Sequence, residues 1–293
     1  MSAVPRDTPR LHRVQCLGAR GLRRMAYWEW GDPANERVLV CVHGLTRQGR
    51  DFDTFARAME REYRVVCPDV VGRGESDRLT DPAGYQVPAY VADMVTLIAR
   101  LDVRSVHWVG TSMGGLIGLV LAGLAESPIA RLVLNDVGPT IDAAGVARIA
   151  SYVGQPLKWP SEEAAADYLL TISKGFGAHT REQWLALTRP MLRREGDAFR
   201  LHYDPAIAFA LRAITPSAAA AGEAALWAAY DAVRCPTLIM RGADSDLLSR
   251  ATADEMRSRG PKARVHEIIG VGHAPTLVAP EQIAVVREFL LGP

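Results

Sequence analysis

With 293 residues and 48% hydrophobic content the chain can bury a full core, and a formal net charge of +1 excludes the strongly basic balance of a nucleic-acid or membrane-surface protein. No run approaches the roughly 18 consecutive apolar residues of a membrane span. The polar, proline-bearing stretch Met1 to Arg13 lacks the apolar centre of a secretory signal, so the expectation is a cytoplasmic enzyme without nucleic-acid or membrane partners.

In chain order, His12 to Leu17 and Arg24 to Trp30 read as an antiparallel pair turning near Gly18 to Gly21. Arg37 to Val42 is an unbroken apolar strand, the pattern of a strand covered on both faces. Phe52 to Glu60 reads as a helix, Tyr63 to Cys67 as a strand, Val91 to Leu101 as a helix and Val106 to Val109 as a strand. Arg131 to Asn135, Thr237 to Met240 and Arg264 to Ile268 extend the sheet, and Pro280 to Leu290 closes the chain as a helix. The expected fold class is therefore α/β, a mostly parallel central sheet of about eight strands flanked by helices.

Between Asp136 and Val233 the alternation stops. Glu162 to Ile172, Arg181 to Arg194, Ala206 to Ile214 and Gly222 to Ala232 have helical spacing, punctuated by prolines. The expected organisation is a core of residues 1–136 and 233–293 with a helical cap of residues 137–232 inserted before the late strands. Most of the cap's aromatics should form its own core, and Trp159 and Trp184 are candidates for a substrate pocket. Cys16, Cys41, Cys67 and Cys235 have neither CxxC nor metal-ligand spacing, so buried reduced thiols are expected, with no metal and no disulfide.

The chemistry is concentrated in three places. Gly110-Thr111-Ser112-Met113-Gly114 lies between an apolar strand and the helix-like Leu116 to Ala122. Gly-x-Ser-x-Gly in that context is a strained turn that lifts the serine out of the sheet, so Ser112 is the candidate nucleophile. His273, flanked by Gly272 and Ala274 in a loop after the last strand, is the candidate base. In Arg241 to Ser249, Asp246 is the favoured third member, with Asp244, read as a turn residue, and Asp136, at the end of the strand before the cap, as alternatives. The backbone N–H groups of Met113 and Leu45 are candidate oxyanion donors. His43 is read as a brace for the Leu45 loop, Asp69 as a turn anchor, and Arg47 as a candidate contact for a substrate carboxylate, although it and Arg50 also read as solvated arginines.

His43-Gly44, Asp69 to Ser76, Gly110 to Gly114, Gly242 to Asp246 and Gly272-His273 occur in an order that resembles the α/β-hydrolase superfamily, over nearly the whole length. One departure is that Gly242 to Asp246 is a residue longer than the common Gly-x-x-Asp spacing. The resemblance implies a serine hydrolase acting through an acyl-enzyme, with no cofactor and a small-molecule ester as its partner. Related dehalogenases and epoxide hydrolases use an aspartate where this chain has Ser112. An apolar or medium-chain carboxylic ester is the leading expectation. A lactone or a carbon–carbon bond is the alternative on the same fold, and a catalytically silent ligand-binding receptor is the alternative of another class, which the intact Ser112 and His273 argue against.

Overall fold

In the computed structural model, residues 8–213 and 215–292 are described; the first part of the Met1 to Arg13 stretch, and Ile214 at the expected end of a helix, lie outside them. The chain opens with a hairpin, β1 (Arg10–Gly18) and β2 (Gly21–Trp30), in which Gly18 pairs with Gly21. There follow β3 (Val38–Val42), α1 (Asp53–Met59), β4 (Arg64–Pro68), α2 (Val87–Leu101), β5 (Val106–Thr111), α3 (Met113–Ala122) and β6 (Ile129–Asn135). After a long inserted segment come β9 (Thr237–Gly242), α9 (Arg250–Ser258), β10 (Arg264–Ile268) and α10 (Pro280–Leu291). These strands form one eight-stranded sheet in the order β1-β2-β4-β3-β5-β6-β9-β10. It is antiparallel at the β1, β2 and β4 side and parallel from β4 to β10.

The apolar run of β3 explains its central place. Val38, Val40 and Val42 join a core with Tyr90, Met94 and Leu97 of α2 and Ile117 of α3. Leu39 and Cys41, pointing the other way, join Phe55 and Met59 of α1 and Val286 and Phe289 of α10. A strand alternating between two cores has no polar face, which is why its sequence does not alternate. Ser249 accepts a hydrogen bond from Thr252 N–H and caps α9.

The inserted segment carries α4 (Ala143–Tyr152), α5 (Glu162–Ile172), α6 (Arg181–Thr188), the strands β7 (Leu192–Glu195) and β8 (Ala198–Leu201), α7 (Ala208–Arg212) and α8 (Pro216–Ala232). The expected helix over Arg181 to Arg194 is corrected here. It ends at Thr188, because Pro190 has no N–H to continue the ladder, and the chain then enters the β7–β8 hairpin, turning at Gly196 with φ 63°. α5 and α6 share a small core of Ala166, Leu169, Trp184, Leu187 and Met191, with Val278 from the loop before α10. α8 instead packs on α3: Ala229 O lies where a side chain at Gly123 would sit, and Tyr230 belongs to the main core. The four cysteines are free thiols, three of them buried.

Candidate active site

β5 delivers Ser112 to the top of the sheet. Its backbone adopts φ 51° and ψ −115°, a left-handed conformation that only close surroundings enforce. The two motif glycines are what permit it. A Cβ at Gly110 would lie 2.2 Å from Gly114 O, and one at Gly114 would lie 2.0 Å from Val42 O. The turn is closed by Ser112 N–H donating to Asn135 O at 3.0 Å.

The loop after β10 lowers His273 onto this serine, with Nε2 3.0 Å from Ser112 Oγ. The carboxylate on the other side of the ring is Asp136: its Oδ2 lies 2.8 Å from His273 Nδ1. Asp136 is fully buried at the end of β6, and its φ of 56° turns the side chain across the top of β9. There it also accepts from Gly242 N–H (2.8 Å) and Ser245 Oγ–H (2.6 Å). Three atoms therefore converge on one carboxylate, which fixes both its position and that of the imidazole.

The expectation for Asp246 is thus corrected. Asp246 is two-fifths exposed and pairs with Arg148 of α4, whose Nη2 donates to Oδ1 at 2.8 Å and whose Nε donates to Oδ2. That guanidinium holds the Asp246 carboxyl below the usual range. The physical reason is the turn. Ser245 Oγ accepts from Leu247 and Leu248 N–H while donating to Asp136, so residue 245 faces the histidine and residue 246 faces outward. Asp244 contributes its backbone N–H to Val271 O at 2.9 Å, bracing the histidine loop.

Leu45 lines the cavity above Ser112, and Met113 is the first residue of α3, directly after the serine. His43 sets the Leu45 loop. Its Nε2 accepts from Val70 N–H at 3.0 Å, so Nδ1 carries the proton and donates to Gly44 O at 2.7 Å. Because the Gly44–Leu45 peptide is planar and trans, pinning its oxygen aims Leu45 N–H the opposite way. Burial, with the nearby Arg73 and Arg47 guanidiniums adding to it, pushes His43 down to about 3, so it stays neutral. Asp69 accepts from Gly49 and Glu75 N–H and from Trp28 Nε1–H, and so anchors the turn between β4 and α2.

The cavity is walled by Leu45, Phe52, Ile149, Leu169, Ile172, Phe176 and Met191, with Arg47, Arg148 and Tyr152 among its polar groups. Arg47 is buried on this wall, in contrast to a solvated arginine. It donates to Asp51, to Met191 Sδ and to Leu187 O (3.2 Å), and its guanidinium lies 5.7 Å from the Phe176 ring centre. Arg50 pairs with Asp53 and lies over Trp28. Trp159 and Trp184 do not line this cavity, which corrects that expectation. Trp159 is buried in a bridge to Phe199 beside the β7–β8 hairpin, and Trp184 donates Nε1–H to Ala166 O at 2.7 Å inside the α5–α6 core.

Two contributors have only weak signals in the sequence. Asn135 ties β5 to the histidine loop, its Nδ2 donating to Thr111 Oγ1 (2.9 Å) and Pro275 O (2.8 Å). From the insert, Gly175 O accepts from Gly272 N–H and His179 Nε2 lies 2.8 Å from Thr276 Oγ1, so the insert also holds the histidine loop. Among the described residues no cluster of three or more His, Cys, Asp or Glu side chains is placed to hold a metal ion, and no helix is long and apolar enough to cross a membrane.

This constellation of strained serine, imidazole and strand-end carboxylate on a mostly parallel sheet agrees with the comparisons. The profile of the alpha/beta hydrolase fold matches residues 37–280. A 3-hydroxybutyrate-oligomer hydrolase of Cupriavidus necator is 56% identical over 289 residues, covering 97% of this chain and 99% of that protein. The esterase YbfF of Escherichia coli is 26% identical over 87% of this chain and 94% of its own length. An alpha/beta hydrolase of Novosphingobium aromaticivorans superposes with a TM-score of 0.84 at 33% identity, covering 96% of this chain and 98% of that one. The chain belongs to the α/β-hydrolase family. It is an enzyme, a hydrolase acting on ester bonds.

Proposed function

We propose that the enzyme cleaves short oligoesters of a hydroxy acid of the 3-hydroxybutyrate kind, by acyl transfer to Ser112. The observation that carries the chemistry is the line Asp136–His273–Ser112, with contacts of 2.8 and 3.0 Å. In this reading His273 takes the Ser112 proton as Oγ attacks the ester carbonyl, and Asp136 holds the imidazole in the tautomer that can accept it and balances the imidazolium. The N–H groups of Leu45 and Met113 receive the developing oxyanion. His273 then protonates the departing alkoxide, and water reverses the sequence to release the acid.

The substrate class is supported by the similarity to the Cupriavidus necator hydrolase, which extends over essentially both chains. The apolar walls from Leu169, Ile172 and Phe176 suit the methyl-bearing backbone of such an oligoester. We assign residues 137–232 the part of a cap, with the stretch from α4 through the β7–β8 hairpin closing over the site and Arg47 fixing its inner wall. The unpaired thiols support a reducing compartment, the cytoplasm.

The test is hydrolysis of the 3-hydroxybutyrate dimer and trimer beside p-nitrophenyl esters of increasing chain length, with Ser112→Ala as control. Release of 3-hydroxybutyrate at a kcat/KM above that for simple esters is the expected result. An enzyme that hydrolyses p-nitrophenyl esters and leaves the oligomers intact would remove the substrate class and keep the esterase.

A further inference from the structure

Arg73 lies in the turn between β4 and α2, is 1% exposed, and is among the largest fully buried side chains of the protein. Its guanidinium reaches both residues that carry the proposed oxyanion donors. Nε donates to Leu45 O at 2.8 Å, and Nη2 lies 3.5 Å from Met113 Sδ. Nη1 donates to Val71 O (2.7 Å) and to the Tyr90 hydroxyl (3.1 Å), and the Tyr85 and Tyr90 ring centres are 5.6 and 5.2 Å away.

Among the described residues, the other buried arginines, Arg47 and Arg241, have carboxylate partners in Asp51 and Glu267, but Arg73 forms no ion pair. A guanidinium does not lose its proton in a protein, so this is a permanent positive charge in the interior, solvated only by carbonyl oxygens, a hydroxyl and ring faces. Such a charge is costly to bury without a counter-ion. The segment holding it is clamped to the insert, with Gly74 N–H donating to His202 O at 2.9 Å and Asp204 N–H to Gly72 O at 2.7 Å. Its field also helps keep His43 neutral, secondary to burial.

We propose that Arg73 is a positioning residue for the oxyanion hole, fixing the Leu45 backbone and placing an unneutralised cation behind both donors, where the negative charge of the transition state is its counter-ion. The inference rests on the reading of Leu45 and Met113 as donors. An interaction that gains strength only when the oxyanion forms acts on kcat and leaves ground-state binding alone.

The experiment compares Arg73→Met, which keeps bulk and removes charge, and Arg73→Lys, which keeps charge, with Arg64→Met, which breaks the pair with Glu29 at the opposite end of β4, as a destabilised control. Each folded variant is assayed for kcat and KM on p-nitrophenyl butyrate. Each is also titrated with an alkyl trifluoromethyl ketone, which adds the serine to give an oxyanionic hemiketal. Arg73→Met should lose on the order of 10- to 100-fold in kcat, with KM within about threefold and ketone affinity falling in step with kcat/KM; Arg73→Lys should recover much of the loss. If Arg73→Met does not fold, Arg73→Lys must still show its deficit in kcat and ketone affinity rather than in KM.

Unchanged kcat and ketone affinity in folded Arg73→Met, or in Arg73→Lys where Arg73→Met does not fold, while the ketone still binds in a Ser112-dependent way, would overturn Arg73's part alone. A wild-type enzyme that binds the ketone no more tightly than Ser112→Ala does would remove the hole itself, and Arg73's role with it.

Discussion

Ser112 is held at a positive φ by neighbours that leave no room for another backbone path, a strain of about 1–3 kcal/mol that the surrounding fold sustains. Replacing it with alanine leaves that backbone and its packing in place. Ser112→Ala should therefore keep a wild-type circular dichroism spectrum and melting temperature while esterase turnover falls by roughly 10⁴-fold or more. The acid gives a sharper contrast. Asp136→Asn replaces the oxygen that faces His273 Nδ1 and should lower kcat by on the order of 10⁴. Asp246→Asn only weakens a half-exposed pair with Arg148, so kcat should stay within about threefold and stability within about 1 kcal/mol. Assays at equal folded concentration, with a p-nitrophenyl ester, distinguish the two directly. Ser112 and His273 are legible in the sequence because each needs glycine-rich backbone next to it, and glycine patterns survive as text. The acid is not legible in the same way. Its identity depends on which side chain of the Gly242 to Ser249 turn faces the histidine, and that side chain is Ser245, which meets a carboxylate that follows a different strand.

At the scale of elements, the insert contributes to the site by two routes. α5 and the following turn supply Leu169, Ile172 and Phe176 to the cavity wall, and Gly175 and His179 brace the histidine loop. Side chains on the wall should set which acyl group fits, and those inside the insert should set its stability. Phe176→Ala and Ile172→Ala should accordingly shift the ratio of long- to short-chain p-nitrophenyl ester rates by a factor of about three or more, with a smaller loss of stability than Trp184→Ala because both are only partly buried against the α5–α6 core. Trp184→Ala should do the reverse, costing about 3–5 kcal/mol by opening a cavity in the α5–α6 core and leaving the ratio unchanged in the folded fraction. A chain-length profile beside a urea titration for each variant reads both quantities. Helical spacing makes α5 legible to the residue, since Ser161 caps it and its apolar face is regular. The β7–β8 hairpin is not, because Leu192 to Glu195 is short and charged, and its strand character comes from pairing with Ala198 to Leu201 rather than from its own composition. The lining of the cavity is equally hidden. Aromatic residues mark burial, and only the tertiary arrangement separates Phe176 on the wall from Trp184 behind it.

Over the whole molecule, the parallel sheet is legible from runs such as Val38 to Val42, whereas the order in which β4, β3 and β5 lie side by side belongs to the crossovers and leaves no mark in any single segment. The assembled interior also gives the protein a defined response to acid. His43, buried behind the Leu45 loop, is pushed down to about 3, and His107, beside Tyr63, is pushed down to about 4, each chiefly by burial. In the unfolded chain both titrate near 6.5. Below that pH the unfolded state binds protons that the native state refuses, so stability is full above pH 6.5 and is lost as the pH falls toward the native values. Asp69 acts in the opposite sense. Burial raises it to about 6, so its native state takes up a proton first, and its contribution, present at low pH, is lost as the pH rises from about 4 through 6. His202 is lowered and Asp93 raised by burial as well, so three histidines against two carboxylates leave a net loss of stability on acidification across this window. His43→Gln retains an acceptor for Val70 N–H and removes one of these titrating rings. Whatever it costs at pH 8, the variant should lose about 3 kcal/mol less than the wild type between pH 6.5 and pH 4. Urea unfolding at pH 8, 6.5, 5 and 4 measures that slope. Parallel curves for the two proteins would mean that His43 is protonated in the native state, and with it that the Gly44 carbonyl is not held by a neutral imidazole.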